Sequence, residues 1–125
     1  MLKIYLSGAI TGREAEAKKE FAEAEKRIKQ KLKELTIYYY EAINPFKILP
    51  LNKKHKYEDY LKADIKVLVD CIALINIKNK GWEKSKGAKL ERYIARALKI
   101  DIYNSVDAFI KDLRICGLEA KVKEK

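Results

Sequence analysis

Apolar and polar residues follow two different rhythms along this chain, and the switches between them mark out its elements. Lys3-Ile4-Tyr5-Leu6 is a short, mainly apolar run that reads as a strand. From Glu14 to Leu35, apolar residues fall at Ala17, Phe21, Ala24, Ile28, Leu32 and Leu35, close to the helical period. Thr36-Ile37-Tyr38-Tyr39-Tyr40 is rich in β-formers and predicts a second strand. Asn44-Pro45 then breaks the chain into a loop that runs to about Lys56. Tyr60, Leu61, Ile65 and Leu68 share one side of a helix predicted over Tyr57 to Val69. Cys71 to Ile77 is almost continuously apolar, as buried parallel strands are. A helix over Gly87 to Leu98, a short strand over Ile100 to Tyr103 and a helix over Val106 to Ile115 complete the pattern. The Lys121-Val122-Lys123-Glu124-Lys125 end is expected to fray, with flexibility from about residue 119.

Strands and helices that alternate through short links predict an α/β fold. The expected architecture is a single-domain, three-layer α/β/α sandwich around a parallel, flavodoxin-like (Rossmann-like) sheet. Ligands of such sheets bind beyond the C-terminal strand ends where the strand order reverses, between the first and third strands. Those are the two strands that feed Gly-containing loops here: Ser7-Gly8-Ala9-Ile10-Thr11-Gly12 and Gly81-Trp82-Glu83-Lys84-Ser85-Lys86-Gly87-Ala88. Each loop opens a helix, whose unpaired N–H groups and positive dipole end suit an anion. The two loops are therefore expected to form two walls of one pocket.

Composition narrows the class. At 125 residues, 48% hydrophobic and 37% charged, the chain has the make-up of a soluble globular domain. No apolar run approaches a membrane span, and Met1-Leu2-Lys3 begins a strand rather than a signal peptide, so an intracellular, cytoplasmic protein without a membrane partner is expected. Cys71 lies in an apolar run far from Cys116, as a core residue in a reducing compartment would. His55 is the only histidine, which leaves no stock for a zinc site, and neither a metal nor a cofactor is expected. The net charge of +10 suits an anionic partner, from a mononucleotide to nucleic acid. Dispersed lysines give the same total by compositional bias, and Lys53-Lys54-His55-Lys56 is the densest cluster.

Neither loop is a dinucleotide fingerprint or a P-loop. What remains is a pocket of carboxylates, hydroxyls and backbone amides. Glu91 stands about one turn into the helix behind the second loop, at the end of the sheet where ligands bind. A solvated surface Glu is its ordinary alternative. Asp64 lies in the helix that leads to the third strand, between Lys62 and Lys66, and Asp70 suits a turn before that strand. Ser85 either caps the helix or donates to a phosphate. Tyr5 is a core residue or carries a hydroxyl to the pocket mouth, and Trp82 covers the core or offers a flat wall to a base.

These residues resemble the nucleoside 2-deoxyribosyltransferase family, including its 2'-deoxynucleoside 5'-phosphate N-hydrolases and small bacterial and phage relatives. The likeness runs from Lys3 to about Tyr103. It rests on Lys-Ile-Tyr-Leu-Ser-Gly-Ala-Ile-Thr-Gly at 3–12, Asn44-Pro45-Phe46, Tyr60-Leu-Lys-Ala-Asp64, and the Ser85-to-Glu91 spacing, which is similar to that family's Ser/Asp-x-Gly-x-x-x-Glu signature. The resemblance implies Glu91 as nucleophile at the anomeric carbon, Asp64 as the acid that assists the departing base, and Tyr5 as the hydroxyl that orients Glu91. Ser7, Gly8, Ala9, Thr11, Trp82, Ser85 and Gly87 would bind substrate or phosphate. Where the hydrolases carry a Ser and an Arg in the first loop, this chain has Ala9 and Thr11, with Arg13 nearby as a possible stand-in. Ile72 replaces a strand Asp usual there, and Ile77-Lys78-Asn79-Lys80 lengthens the approach to Gly81. A nucleoside or nucleotide as small-molecule partner, and a homodimer or larger homo-oligomer, follow from the same resemblance. Two rival functions stay open: a non-catalytic nucleotide-binding module, and an accessory protein that holds nucleic acid on its basic surface.

Overall fold

A computed structural model describes residues 1–113 of the chain. Four parallel strands form one sheet: β1 (Leu2–Ser7), β2 (Tyr40–Ile43), β3 (Ala73–Asn76) and β4 (Asp101–Tyr103), in the order β2-β1-β3-β4. Helix α1 (Glu14–Glu34) links β1 to β2, α2 (Tyr57–Leu68) precedes β3, and α3 (Lys86–Ala97) links β3 to β4. A further helix, α4, occupies 106–113. The α/β fold and parallel sheet expected from the sequence are present, with the order reversing between β1 and β3 as in flavodoxin-like sheets.

The strand period of two sorts side chains into two cores. Ile4, Leu6, Ala42, Ala73 and Ile75 face α1 and α4 and join Phe21, Ile28, Phe109 and Leu113 in one apolar cluster. Tyr5, Leu74, Ile43 and Ile102 face the other way and pack with Leu68, Ile94 and Ala95 of α2 and α3. Helices therefore cover both faces of the sheet. Phe21 also meets Phe46 edge to face, which ties the 3-10 turn at Pro45–Lys47 to α1.

The second strand begins later than its β-forming residues suggest. Leu35 and Thr36 end α1 in a left-handed turn: Thr36 has φ +53°, its N–H donates to Lys33 O at 3.1 Å, and the Ile37 N–H donates to Leu32 O at 2.9 Å. This is the Schellman pairing that satisfies the last carbonyls of a helix. Ile37 then packs on the core cluster that holds Leu32, so Thr36 to Tyr39 terminates a helix and only Tyr40 enters the sheet. The same turn closes α3, where Lys99 has φ +57° and Ile100 N–H donates to Ala95 O at 2.8 Å, so β4 starts at Asp101. The third strand is likewise shorter than expected, because Asp70 and Cys71 turn back on α2 through their N–H groups. The last residues of the final predicted helix, Cys116 and the fraying expected at the C-terminal end lie outside the described residues.

A β-branched residue in the left-handed region is strained, whereas glycine is not. Thr36→Gly is therefore expected to stabilise the protein by about 0.5–1 kcal/mol, read as a higher midpoint in urea with an unchanged slope.

Candidate functional site

The two Gly-containing loops lie side by side at the C-terminal ends of β1 and β3, where Ser7 pairs with Asn76. Asn79 joins them. Its carboxamide oxygen accepts from Ala9 N–H at 2.8 Å, and its nitrogen donates to Ala9 O at 2.8 Å and to Glu20 at 3.1 Å. Gly8 makes this approach possible, since a Cβ there would come within 2.8 Å of the Asn79 oxygen and 2.9 Å of Ile77. Arg13 is held in the same network. Its guanidinium pairs with Glu20 and Glu16 and donates to Ala9 O at 3.4 Å, and it is not on the cavity wall.

Between the loops opens a cavity of about 310 Å³, at the small end of the range for small-molecule sites. Gly8, Ile10 and Thr11 form one side, and Ser85, Gly87 and Ala88 face it from the second loop and α3. Tyr57, Tyr60, Leu61 and Asp64 of α2 form another wall, and the segment from Pro45 to His55 supplies apolar cover through Phe46, Leu49 and Leu51. Glu91 sits at the floor.

Strand alternation puts Tyr5 and Ser7 on the same face of β1, beneath Glu91. The Tyr5 hydroxyl donates to Glu91 Oε2, and the Ser7 hydroxyl donates to Oε1 at 2.9 Å. All three side chains are buried. Burial pushes the Glu91 carboxyl up to about 8, helped by the nearby Asp64 charge and opposed by the bonds from Tyr5 and Ser7. Asp64 is pushed up to about 7 by burial, against the pull of the Tyr5 hydroxyl. Tyr5 itself is raised well above its ordinary value by burial and by these two carboxyls, so it remains a donor. Two acids with raised pKa values thus stand beside one tyrosine at the floor of a cleft, the combination that marks a candidate site.

Of the residues singled out in the sequence, Gly8, Thr11, Asp64, Ser85, Gly87 and Glu91 line the cavity, while Tyr5 and Ser7 support its floor from below. Ser85 is the cap of α3, its hydroxyl accepting from Ala88 N–H at 3.2 Å, and it lines the cavity as well. Ala9 takes part through its backbone. Trp82 is elsewhere: the Arg92 guanidinium lies over its ring, 5.2 Å from the centroid, and the indole does not reach the cavity wall. Asp70 turns the chain before β3, away from the strand ends that open into the cavity. Cys71 is buried, with its thiol pushed up to about 11 by burial. Asn79, Glu14 and the apolar cover from Leu49 to His55 escaped the sequence reading. Asn79 sits in a polar stretch whose only signal was its length, and the loop residues follow no period.

The chain matches the family described as "Domain of unknown function (DUF4406)" over residues 2–104. It belongs to that family. Among the described residues, the matched region contains every strand and every residue that lines this cavity. No curated protein and no solved structure matches the chain. Among the described residues, no helix is long and apolar enough to cross a membrane, and no cluster of three or more His, Cys, Asp or Glu could hold a metal ion.

Two measurements check this geometry. Asn79→Ala strips the loop clamp and leaves the buried Ala9 amide unpaired, so a loss of about 1–3 kcal/mol in denaturant unfolding is expected. The second concerns Glu91. The folded chain holds the Glu91 proton to about pH 8, while the unfolded chain releases it near the usual 4.5. That group's stabilisation is therefore complete below about 4.5 and is lost as pH climbs through 8. Glu91→Gln cannot titrate, so its melting temperature should gain on the parent's from pH 5 to about pH 8 and level off above that. A constant difference would mean that Glu91 ionises freely.

Proposed function

We propose that the protein cleaves or transfers the N-glycosidic bond of a nucleoside, with Glu91 as nucleophile. The observation that carries this reading is the buried Glu91 carboxyl, gripped on both oxygens by Tyr5 and Ser7 and opening onto a cleft that it shares with Asp64. In the first step the Glu91 carboxylate forms a bond to the anomeric carbon. The carbon–nitrogen bond breaks, its electron pair stays with the base, and Asp64 supplies the proton the base nitrogen needs. In the second step water attacks the glycosyl ester and gives its proton to the Asp64 carboxylate, which releases the sugar and restores Glu91. A second base in place of water gives transfer. Tyr5 and Ser7 fix the carboxylate for in-line approach and cost no rearrangement as charge shifts.

The charge of the wall favours the nucleoside over its 5'-monophosphate. Glu14, Asp64 and Glu91 line the cavity, and among the described residues no Lys or Arg does, although the chain carries 28 of them. A phosphate placed inside would meet three acids and no Lys or Arg, with only hydroxyls and helix amides to hold it.

The direct test is incubation of the protein with each deoxynucleoside, each ribonucleoside and their monophosphates, with free base followed by chromatography. Base release is expected, and Glu91→Gln should lower it by at least 100-fold while keeping nucleoside binding. Nucleoside binding without release by the parent would make the protein a binding module, and undiminished turnover in the variant would remove Glu91 as nucleophile.

The pH profile is a further check. The chemistry needs one proton on the carboxyl pair, as acid for the base, and one ionised carboxylate as nucleophile. The pair loses its protons near 7 and 8. Of its two singly protonated forms only the one with the proton on Asp64 and the charge on Glu91 reacts, so kcat/KM should form a bell with its maximum between those values and a height set by the share of that form. Activity that rises steadily to pH 10 would contradict the pairing.

A further inference from the structure

His55 stands outside the machinery described so far. It is the only histidine in the chain, and its ring forms part of the cavity wall. Its Nδ1 is buried without a hydrogen-bond partner. An orphaned buried nitrogen costs on the order of 1–3 kcal/mol, so the fold does not place one there for stability. An imidazole carries one N–H and one bare nitrogen. With Nδ1 unpartnered, no hydrogen bond to it within the protein fixes the tautomer, and a ligand in the cavity can set it.

The backbone around His55 is nonetheless built. The ring packs edge to face on Tyr60, with centroids 5.5 Å apart. The Tyr60 hydroxyl accepts from Asn52 N–H at 2.9 Å and donates to Asn52 O at 3.1 Å, which pins the turn that carries His55 to α2. Within the turn, His55 N–H donates to Asn52 O at 3.0 Å, and Lys54 N–H donates to the Asn52 side chain at 2.9 Å. The same helix carries Asp64 one turn beyond Tyr60, so the histidine and the acid are held by one rigid element.

The wall is also divided in its chemistry. Tyr5, Ser7 and Glu91 gather the polar groups at the floor, and Asp64 stands on the wall beside them. The segment from Pro45 to Leu61 gives flat and apolar surfaces, and there the Tyr60 hydroxyl is already engaged with Asn52. We infer that this apolar end is the base subsite and that His55 reads the base, its imidazole exchanging a hydrogen bond with a nitrogen or exocyclic group on the base edge. The inference rests on the nucleoside reading above and adds to it an orientation: sugar toward Glu91, base between Phe46 and Tyr60.

Equilibrium binding of free nucleobases tests the subsite without turnover. His55→Phe keeps a ring against Tyr60 and removes both nitrogens, whereas His55→Gln keeps a donor and an acceptor. The base that the parent binds best should bind His55→Phe roughly 5- to 150-fold more weakly, the range corresponding to a lost buried hydrogen bond. His55→Gln should recover part of that loss, and 1,2-dideoxyribose should bind all three proteins alike. In a deaza series of the same base, one carbon-for-nitrogen exchange should weaken binding to the parent and leave His55→Phe unmoved. Equal base affinity in parent and His55→Phe overturns the inference, as does a loss in His55→Phe that sugar shares equally. If the parent releases base from nucleosides while His55→Phe binds bases normally, only the role of His55 fails. If the parent binds neither base nor nucleoside, the nucleoside reading fails with it.

Discussion

A carboxyl group cannot be buried without partners, and the way this chain meets that constraint at Glu91 organises much of the molecule. Both hydroxyls that hold Glu91 come from β1, two residues apart, so they reach it only because strand alternation points Tyr5 and Ser7 the same way. Helix α3 must then lie over that face of the sheet, with its first turns above the β1–β3 junction. The packing of Ala95 and Ile94 against Leu74 holds it there. Apolar burial thus sets the height of α3, and hydrogen bonding sets its rotation. The residual mismatch shows as a proton held to about pH 8.

Much of this was legible in the sequence because the signals are periodic. Phe21, Ile28 and Leu32 recur at helical spacing and bury one stripe of α1, and the apolar run from Ala73 to Ile75 forms the inner strand β3. The pocket could be placed because a rule about strand order coincided with two glycine-bearing loops. Glu91 followed from its position behind the second loop, Asp64 and Tyr5 from the resemblance to the deoxyribosyltransferases, and the structure brings all three together. Three things were not legible. The ends of α1 and α3 use Thr36 and Lys99 in left-handed turns where glycine would have announced them, so the β-forming tyrosines read as a strand several residues early. Trp82 pairs with Arg92, a contact between a loop and a helix that no local pattern encodes. The cover from Leu49 to His55 is irregular chain whose side chains converge only after α2 and the 3-10 turn are in place.

The distribution of charge shows how little a net total says about a site. The chain is strongly basic, yet the cavity wall is acidic among its described residues. Arg13 faces Glu16 and Glu20, Lys47 and Lys29 converge on Glu25, and Arg27 pairs with Asp107, so several cations are spent on the flanks of α1. Most of these pairs are exposed on at least one side and contribute little to stability. They engage these cations away from the cleft, whose described lining holds Glu14, Asp64 and Glu91 and no Lys or Arg.

The Asn79 clamp has an evolutionary consequence. It meets Ala9 through the backbone alone, so residue 9 is free to change its side chain as long as it stays small enough for the loop. Its bond to Glu20 runs from side chain to side chain, and Glu20 in turn holds Arg13. Residues 13, 20 and 79 therefore form one unit of inheritance, expected to be exchanged as a set, whereas the loops that they fasten can diverge in sequence around a fixed mutual spacing.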